Sequence, residues 1–240
     1  MRVILTIALL LAFAAPALAS GADPAGVFRY ELRALGALAG EAVLTISEPK
    51  SVGDREVRRV RIEARTAGLA GRVYKASGHG TAIVDDQHRP MRVEWTAKPK
   101  GNLRDAKVKI GPKGVKGLYR RAGRKDEKIN YDTATWPMDA VSAYIAIPQH
   151  DLTPGPRERR PFFDGRKLGT IDMTVGEAQE IHLPIGLRLA VPVHITVKRP
   201  GRSRKVVFWV GPEDRVLYRI QVEFGILNTV DADLVGMRRL

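Results

Sequence analysis

The side chains that could carry out chemistry in this sequence are five histidines, a serine in a helix-like segment and scattered carboxylates. The histidines are His79, His88, His150, His182 and His194. Neither His79 nor His88 has a second histidine at the two-to-four-residue spacing of common metal sites. His182 and His194 could face each other on neighbouring strands, an arrangement that is more often ordinary sheet surface than a metal centre. The chain has no cysteine, which excludes thiolate ligands, disulfides and a cysteine nucleophile.

The serine, Ser142, lies in "DAVSAY", which lacks the glycine-flanked sharp turn of a nucleophile elbow. We interpret it as bonding a backbone carbonyl or as letting a helix approach a sheet. Acidic residues such as Asp85, Asp86 and Glu213 fall in turns instead of converging as paired catalytic carboxylates. The sequence therefore predicts no catalytic residue, no metal and no cofactor, and a hydrolase is the least favoured function class.

Aromatic side chains are the better candidates for contacting a ligand. The candidate ligand-binding residues are Trp95, Trp136, Tyr144 and Trp209. Phe162, Phe163 and Phe208 share with the tryptophans the interpretation as core or cavity-lining groups. A filled core and a ligand cavity both remain open, because curved sheets that do not fill completely enclose apolar pockets.

Basic residues dominate the charge, which is +14 for the chain of 240 residues. Between Lys98 and Lys128 there are twelve Lys or Arg against three acids. The candidates for contacting an anionic surface are Lys98, Lys100, Arg104, Lys107, Lys109, Lys113, Lys116, Arg120 and Arg121. A second basic cluster is "VKRPGRSRK" (197–205). Nucleic acid would be the usual partner of such patches, but export favours lipid, lipopolysaccharide or cell-wall polymer, with peripheral membrane contact. The favoured interpretation of the basic residues is nevertheless that they keep the protein soluble.

The export signal is the stretch "MRVILTIALLLAFAAPALAS", with Arg2, an apolar block and the small-x-small pattern Ala17-Leu18-Ala19. The block is short for a permanent membrane anchor, so the pattern indicates a signal peptide over 1–19, cut between Ala19 and Ser20. Residues 20–240 are then expected to form a single exported domain, periplasmic or secreted.

Apolar and polar residues alternate along most of the chain. In "RVRIEAR" (59–65), Val60, Ile62 and Ala64 share one face, and "RVEWTA" (92–97) and "LYRIQVEF" (217–224) repeat the pattern. Successive strand side chains point to opposite faces, so each segment buries one face. Further predicted strands are 27–35, 41–47, 72–84, 107–110, 170–175, 179–183, 190–198, 205–210 and 227–235. The pattern predicts an all-β fold, a curved antiparallel meander in the form of a half-barrel or spiral sheet.

One segment, "WPMDAVSAYIAI" (136–147), breaks the alternation. Asp139 is a suitable N-cap, Val141, Tyr144 and Ile145 form one apolar stripe, and Pro148 is expected to stop the helix. About two turns of helix are unstable alone, so we predict one short helix over 139–147 that caps the sheet.

The segment "DAVSAYIAIPQHDLTPGPRERRPFFDGRKLGTIDMTV" (139–175) resembles a recurrent stretch of an exported bacterial family labelled domain of unknown function 3108. There, a short helix is followed by a Pro-Gly loop and a strand that ends in D-G-(K/R). The tail over 206–235 resembles the ending of the same family, and "GEAVLTI" (40–46) resembles its first hairpin. Leu217 stands where a proline is common. The resemblance implies an exported, curved antiparallel β-structure and no particular activity.

Three functions follow as hypotheses. In the first, a non-catalytic periplasmic protein binds an apolar or amphipathic envelope molecule inside the sheet, under the helix, with the basic segment 98–128 against anionic head groups. In the second, a structural or envelope-integrity protein contacts wall polymer or a partner through its basic face. The third is a hydrolase.

Overall fold

The computed structural model describes residues 24–73, 75–224 and 228–240. The predicted signal peptide and its cleavage point lie outside the described residues. The first nine strands are β1 Gly26–Ala34, β2 Ala37–Ile46, β3 Lys50–Val52, β4 Arg55–Thr66, β5 Ser77–Asp85, β6 Pro90–Ala97, β7 Arg104–Gly111, β8 Gly114–Arg121 and β9 Glu127–Asp132. The others are β10 Met138–Asp139, β11 Gly155–Phe163, β12 Leu168–Val175, β13 Gln179–Leu183, β14 Gly186–Arg199, β15 Arg202–Val210, β16 Leu217–Phe224 and β17 Asn228–Arg239.

In the described part of the chain, two helices interrupt the strands, α1 Gly68–Val73 and α2 Ala143–Ala146, with a 3₁₀ turn at Pro99–Gly101. The prediction of a strand over 72–84 was therefore wrong at its start, where α1 ends and β5 begins only at Ser77. The prediction of one helix missed α1. Strands β8, β9 and β11 were also missed, because glycines, charges and prolines hide the alternation there.

The strands form one curved, open sheet by pairing with their neighbours along the chain. Strand β1 pairs with both β2 and β17, so two meanders run outwards from the chain's two ends. One meander runs through β4 to β9 and the other through β16, β15, β14, β12 and β11 to β10. Among the described strands, every pairing is antiparallel except that of β10 with β11. The curved all-β sheet was predicted correctly.

Burial follows the alternation that the sequence shows. In β7, Ala106, Val108 and Ile110 are buried while Lys107 and Lys109 are exposed, as a strand with one wet face requires. Pro192, which has no N–H to donate, lies in β14 between the residues that pair with β13 and those that pair with β12. The missing donor thus falls where β14 changes partner.

The turn between β11 and β12, residues 164–167, brings the two arms of the sheet together. The Trp95 indole N–H of β6 donates to the Gly165 carbonyl at 3.0 Å. Arg166 pairs with Glu127 of β9 at 2.7 Å and lies over the Tyr119 ring of β8. Gly165 has φ +97°, and a Cβ there would lie 2.3 Å from the Trp95 indole nitrogen. We call residues 164–167 the latch turn, since its contacts curl the sheet.

Candidate functional site

The segment 139–148, which we call the plug, lies between two apolar clusters. The first cluster contains Val141 and Ile145 of the plug together with buried residues of β1, β2 and β4–β9. The second contains Ala143 and Ile147 with buried residues of β11, β12, β14 and β15. Tyr144 packs against both clusters. The predicted docking of a short helix on the sheet is therefore confirmed, and two faces of the plug pack against the sheet.

The helix itself is shorter than predicted, because Asp139 belongs to β10 and α2 begins at Ala143. Asp139 still serves the turn before the helix, its carboxylate accepting from the Val141 N–H at 2.7 Å and from the Ser142 N–H at 3.2 Å. The Ser142 hydroxyl donates to the Asp139 carbonyl at 3.3 Å, which confirms a backbone-bonding role for this serine. Burial raises the pKa of Asp139 above its usual range, although these hydrogen bonds act in the opposite direction.

The end of the plug corrects a second detail. The helix does end before Pro148, but Ile147 keeps α-helical backbone angles (φ −67°, ψ −47°) instead of being displaced from that region. The chain is held there by Arg215, whose guanidinium donates to the His150 carbonyl at 2.9 Å. A long-range hydrogen bond, in addition to the proline ring, thus fixes this end.

On the second-cluster side of the plug lies a cavity of about 590 Å³, which we call the large cavity. Its walls are apolar side chains of the plug and of six strands, and Tyr144 stacks on Phe208 with ring centroids 5.9 Å apart. The apolar lining consists of Met138, Ala140, Ala143, Tyr144, Ile147, Phe162, Ile171, Ile195, Val197, Val206, Phe208, Ile220 and Val222. Its volume lies within the range of about 300–1,000 Å³ that is typical of ligand pockets.

Three of the five polar side chains that line the large cavity are arginines, and the other two are Asp164 and Ser203. Arg199, Arg202 and Arg204, which we call the arginine mouth, come from the hairpin of β14 and β15, where Arg199 and Arg202 are opposite each other in register. Arg199 pairs with Asp164 of the latch turn. Burial lowers the pKa of Arg199, and the charges of Arg204 and Arg202 lower it further. Asp164 is the only carboxylate among the described residues that line the large cavity.

A second cavity of about 320 Å³, the small cavity, lies on the first-cluster side of the plug. Ile62, Trp95 and Phe163 line it, together with Asp139 and His79. It shares Ala140, Tyr144 and Asp164 with the large cavity, so the plug and the latch turn separate the two. No arginine or lysine is among the described residues that line the small cavity.

The four predicted aromatic residues do not converge on one site. Tyr144 lines both cavities, and Trp95 lines the small one. Trp136 lines a third pocket near His88 and His150. Trp209 packs against the first cluster, and its buried indole N–H has no hydrogen-bond partner in the described structure. The large cavity is instead closed by Phe162 and Phe208, which the sequence placed among core or cavity-lining groups.

The predicted anionic-surface residues form a separate region. On the outer face of β6–β8, Arg92, Lys109 and Lys116 are opposite one another in register, so like charges stand in one row across three strands. Lys107 and Arg92 share Glu94, at 3.6 Å and 2.5 Å. None of the nine predicted residues lines the large cavity. The hypothesis of an anionic contact at this face stays a prediction.

The histidines also stand differently from the prediction. Strands β13 and β14 are neighbours, but His182 is opposite Leu187, and His194 is opposite Thr174 of β12. The two histidines therefore do not face each other, because Leu187, the residue of β14 opposite His182, lies seven positions before His194 in that strand. Within the described part of the chain, no group of three or more His, Asp or Glu side chains could hold a metal ion.

Sequence reasoning missed the arginine mouth as part of a site. The signal was present in "VKRPGRSRK", a Pro-Gly turn between two strands that places arginines on both sides of a hairpin. It was also present in the D-G-R triplet of the latch turn, where Asp164 accepts from the Arg166 and Lys167 N–H groups and holds Arg199. What no local pattern reveals is that the hairpin meets the latch turn beside the plug.

Comparison with known proteins places this architecture in a family. The chain matches the family described as "Protein of unknown function (DUF3108)" over residues 29–235, and it belongs to that family. Among curated proteins, none matches the chain in sequence. Among the described residues, no helix has the length and apolar character that crossing a membrane requires.

A solved structure shows a similar fold at low sequence identity. The chain is similar to a β-barrel-like protein of domain of unknown function DUF1849 from Brucella abortus, with 11% identity, a TM-score of 0.59, and coverage of 88% of this chain and 96% of the other. A protein from Bacteroides fragilis described as exported with a YmcC-like fold has 8% identity and a TM-score of 0.39 over 91% and 98% of the chains. One from Parabacteroides distasonis described as a lipoprotein has 10% identity and a TM-score of 0.38 over 91% and 97%.

Proposed function

We propose that this protein is an exported, non-catalytic binding protein that holds one anionic amphiphile. The apolar chain of the ligand occupies the large cavity, and its anionic head group meets the arginine mouth. The observation that carries the proposal is the combination of an apolar lining of about 590 Å³ with three arginines at its edge. The signal-like N-terminal sequence supports export to a compartment where such molecules are abundant.

Electrostatics favours an anionic head group over a neutral one. Arg202 and Arg204 lie close enough to Arg199 for their charges to lower its pKa, so positive charge is concentrated at the edge of the cavity. A carboxylate or phosphate head group would be attracted to that charge and accept paired hydrogen bonds from the planar guanidinium donors. The apolar walls would gain about 25 cal/mol for each Å² of ligand surface removed from water.

The experiment is a calorimetric titration of delipidated protein with dodecanoate and, separately, with dodecanol, both below their aggregation limits. The two ligands share one alkyl chain and differ in the charge of the head group. We expect saturable binding of one dodecanoate per chain, at least about tenfold tighter than dodecanol, which corresponds to about 1.4 kcal/mol. The proposal is contradicted if neither ligand binds saturably, or if both bind with equal affinity.

A second candidate function rests on the outer face of β6–β8. Like charges that are directly opposite on neighbouring strands destabilise a sheet, so the row of Arg92, Lys109 and Lys116 favours an external anionic partner such as wall polymer. Binding of this kind weakens steeply as salt rises. In a sedimentation assay with isolated wall material, the wild-type protein should therefore sediment with the wall at low salt and stay in the supernatant at high salt. A Lys109→Gln/Lys116→Gln variant should not sediment with the wall even at low salt.

A further inference from the structure

A third pocket, distinct from both cavities of the plug, lies where the β5–β6 turn meets the end of the plug. Its volume is about 140 Å³, well below the range of about 300–1,000 Å³ for drug-sized ligands. The polar side chains that line it are Gln87, His88, Arg89, Gln149, His150 and Arg160. No carboxylate is among its described lining residues, so the pocket is rich in donors and suited to a small anion.

The pocket contains groups whose hydrogen-bonding capacity is unused. The Gln149 side-chain nitrogen is buried and has no hydrogen-bond partner in the described structure. Buried donors are nearly always satisfied, so such a group points to a missing acceptor. Arg160 lies 3.4 Å from the His150 ring nitrogen and has no carboxylate partner among the described residues. Two basic groups this close would be bridged favourably by an oxyanion.

The walls of the pocket are fixed by contacts that do not involve a ligand. Asp85 accepts from the Arg89 N–H at 2.8 Å and pairs with the Arg89 side chain at 2.7 Å. The Arg89 guanidinium lies over the Trp136 ring, 4.5 Å from its centroid, and the Trp136 indole N–H donates to the Pro90 carbonyl at 2.7 Å. His88 has φ 58°, a strained conformation for this residue that the surrounding contacts maintain.

Both histidines are in the environment that an anion would change. Burial lowers the pKa of His88, and the charge of Arg58 lowers it further. Burial also lowers the pKa of His150, with Arg160 as the next cause. A bound anion would act in the opposite direction on the pKa of both histidines, because a negative charge beside the rings stabilises their protonated form.

We infer that the pocket between His88 and His150 binds one phosphate group. Arg160 and the Gln149 amide nitrogen supply donors to the phosphate oxygens, and Trp136 forms a fixed apolar wall. The phosphate could arrive as the free ion or as the head group of a monoester, since both present the same oxygens to these donors. This assignment gives Trp136 a role at a small polar site instead of at the large cavity, and it does not depend on the proposed amphiphile binding.

The test is an NMR titration that follows the ring signals of His88 and His150 at pH 7, with ionic strength held constant by sodium chloride. The probes are inorganic phosphate and glycerol phosphate. We expect saturable shifts of both rings with at least one of the probes. Tighter binding of glycerol phosphate assigns the site to a head group, and tighter binding of inorganic phosphate assigns it to the free ion; either outcome supports the inference.

Variants separate this pocket from the general basic charge. Arg160→Gln should weaken phosphate binding at least tenfold, and His88→Asn, which tolerates the positive φ, should weaken it by a smaller factor. Lys75→Gln, at the exposed loop before β5, should leave the affinity unchanged. The inference is overturned if neither probe gives saturable shifts, or if Lys75→Gln lowers the affinity as much as Arg160→Gln and His88→Asn do.

Discussion

The two cavities beside the plug share walls and differ in charge. Ala140, Tyr144 and Asp164 line both, so one short segment and one turn form the boundary of each. The large cavity opens between three arginines, whereas the small cavity has carboxylates and a histidine among its described lining residues. The same plug therefore faces an environment suited to an anion on one side and unsuited to it on the other.

This difference teaches that the position of the site depends on long-range contacts. The arginine mouth belongs to the β14–β15 hairpin, and it meets the plug because the latch turn binds Arg199 through Asp164 and Trp95 through Gly165. Apolar alternation builds both cavities equally well. Only the contacts between the two arms of the sheet decide which cavity receives the cationic edge.

The largest expected effect comes from breaking the latch turn, which both cavities need. Gly165→Ala should lower the free energy of unfolding by about 3 kcal/mol, because it adds a clash with Trp95 to the strain of a positive φ. Gly53→Ala is the matched control, since Gly53 also has positive φ but no atom within 4 Å of an added Cβ. It should cost about 1 kcal/mol. Urea denaturation measures both, and equal losses would rule out the latch.

The next effect distinguishes the two cavities by filling each in turn. Val222→Trp should occupy part of the large cavity and weaken dodecanoate binding at least about 30-fold, or about 2 kcal/mol. Ile62→Trp fills the small cavity instead and should leave the affinity within about twofold. Calorimetric titration measures both variants. If Ile62→Trp loses binding and Val222→Trp does not, the ligand occupies the small cavity, which contradicts the proposal.

A smaller effect is expected from the charge at the large cavity. Arg202→Gln removes one guanidinium without breaking the pair between Arg199 and Asp164, so it should weaken dodecanoate binding about fivefold, or about 1 kcal/mol. The loss should shrink as salt rises. Lys75→Gln removes a charge from an exposed loop that does not line the large cavity, and it should change nothing. If both variants bind dodecanoate equally well, the arginine mouth has no role in recognition.

The smallest effect concerns the buried carboxylate that supports the plug. Because the pKa of Asp139 is raised in the folded state, the folded protein keeps this proton to higher pH than the unfolded chain does. The contribution of this group to stability is therefore present below about pH 4 and is lost as the pH rises through the folded-state pKa. Asp139→Asn should flatten that dependence in urea denaturation between pH 4 and 7, whereas Asp54→Asn, at an exposed turn, should leave it intact.

The fold could be predicted where one strand face is apolar and the other charged. Val60, Ile62 and Ala64 alternate with charged residues, and the structure places them in β4 with that pattern of exposure. Strands β8 and β11 could not be recognised, since Gly117 and Pro161 interrupt their apolar faces. Both strands form because they pair with the neighbouring strands β7 and β12. The local sequence shows the alternation of a strand but not the pairing that stabilises it.

The candidate site was predicted in part. Tyr144 was identified from the stripe on the plug, and it does stand between the two cavities. Trp136 was grouped with it as an aromatic residue that directly precedes the helix and could pack under it. Its indole N–H instead donates to the Pro90 carbonyl, beside the β5–β6 turn. The direction of a side chain beside a helix depends on its partner in the tertiary structure, and the spacing of residues in the sequence does not reveal that partner.

The most direct test of the central claim is a methyl NMR spectrum of isoleucine-labelled protein, recorded with and without dodecanoate. Ile171, Ile195 and Ile220 line the large cavity, and Ile62 lines the small one. Binding in the large cavity predicts saturable shifts for the first three methyl signals while Ile62 stays in place. A spectrum in which Ile62 alone shifts, or in which no isoleucine signal shifts at saturating ligand, would contradict it.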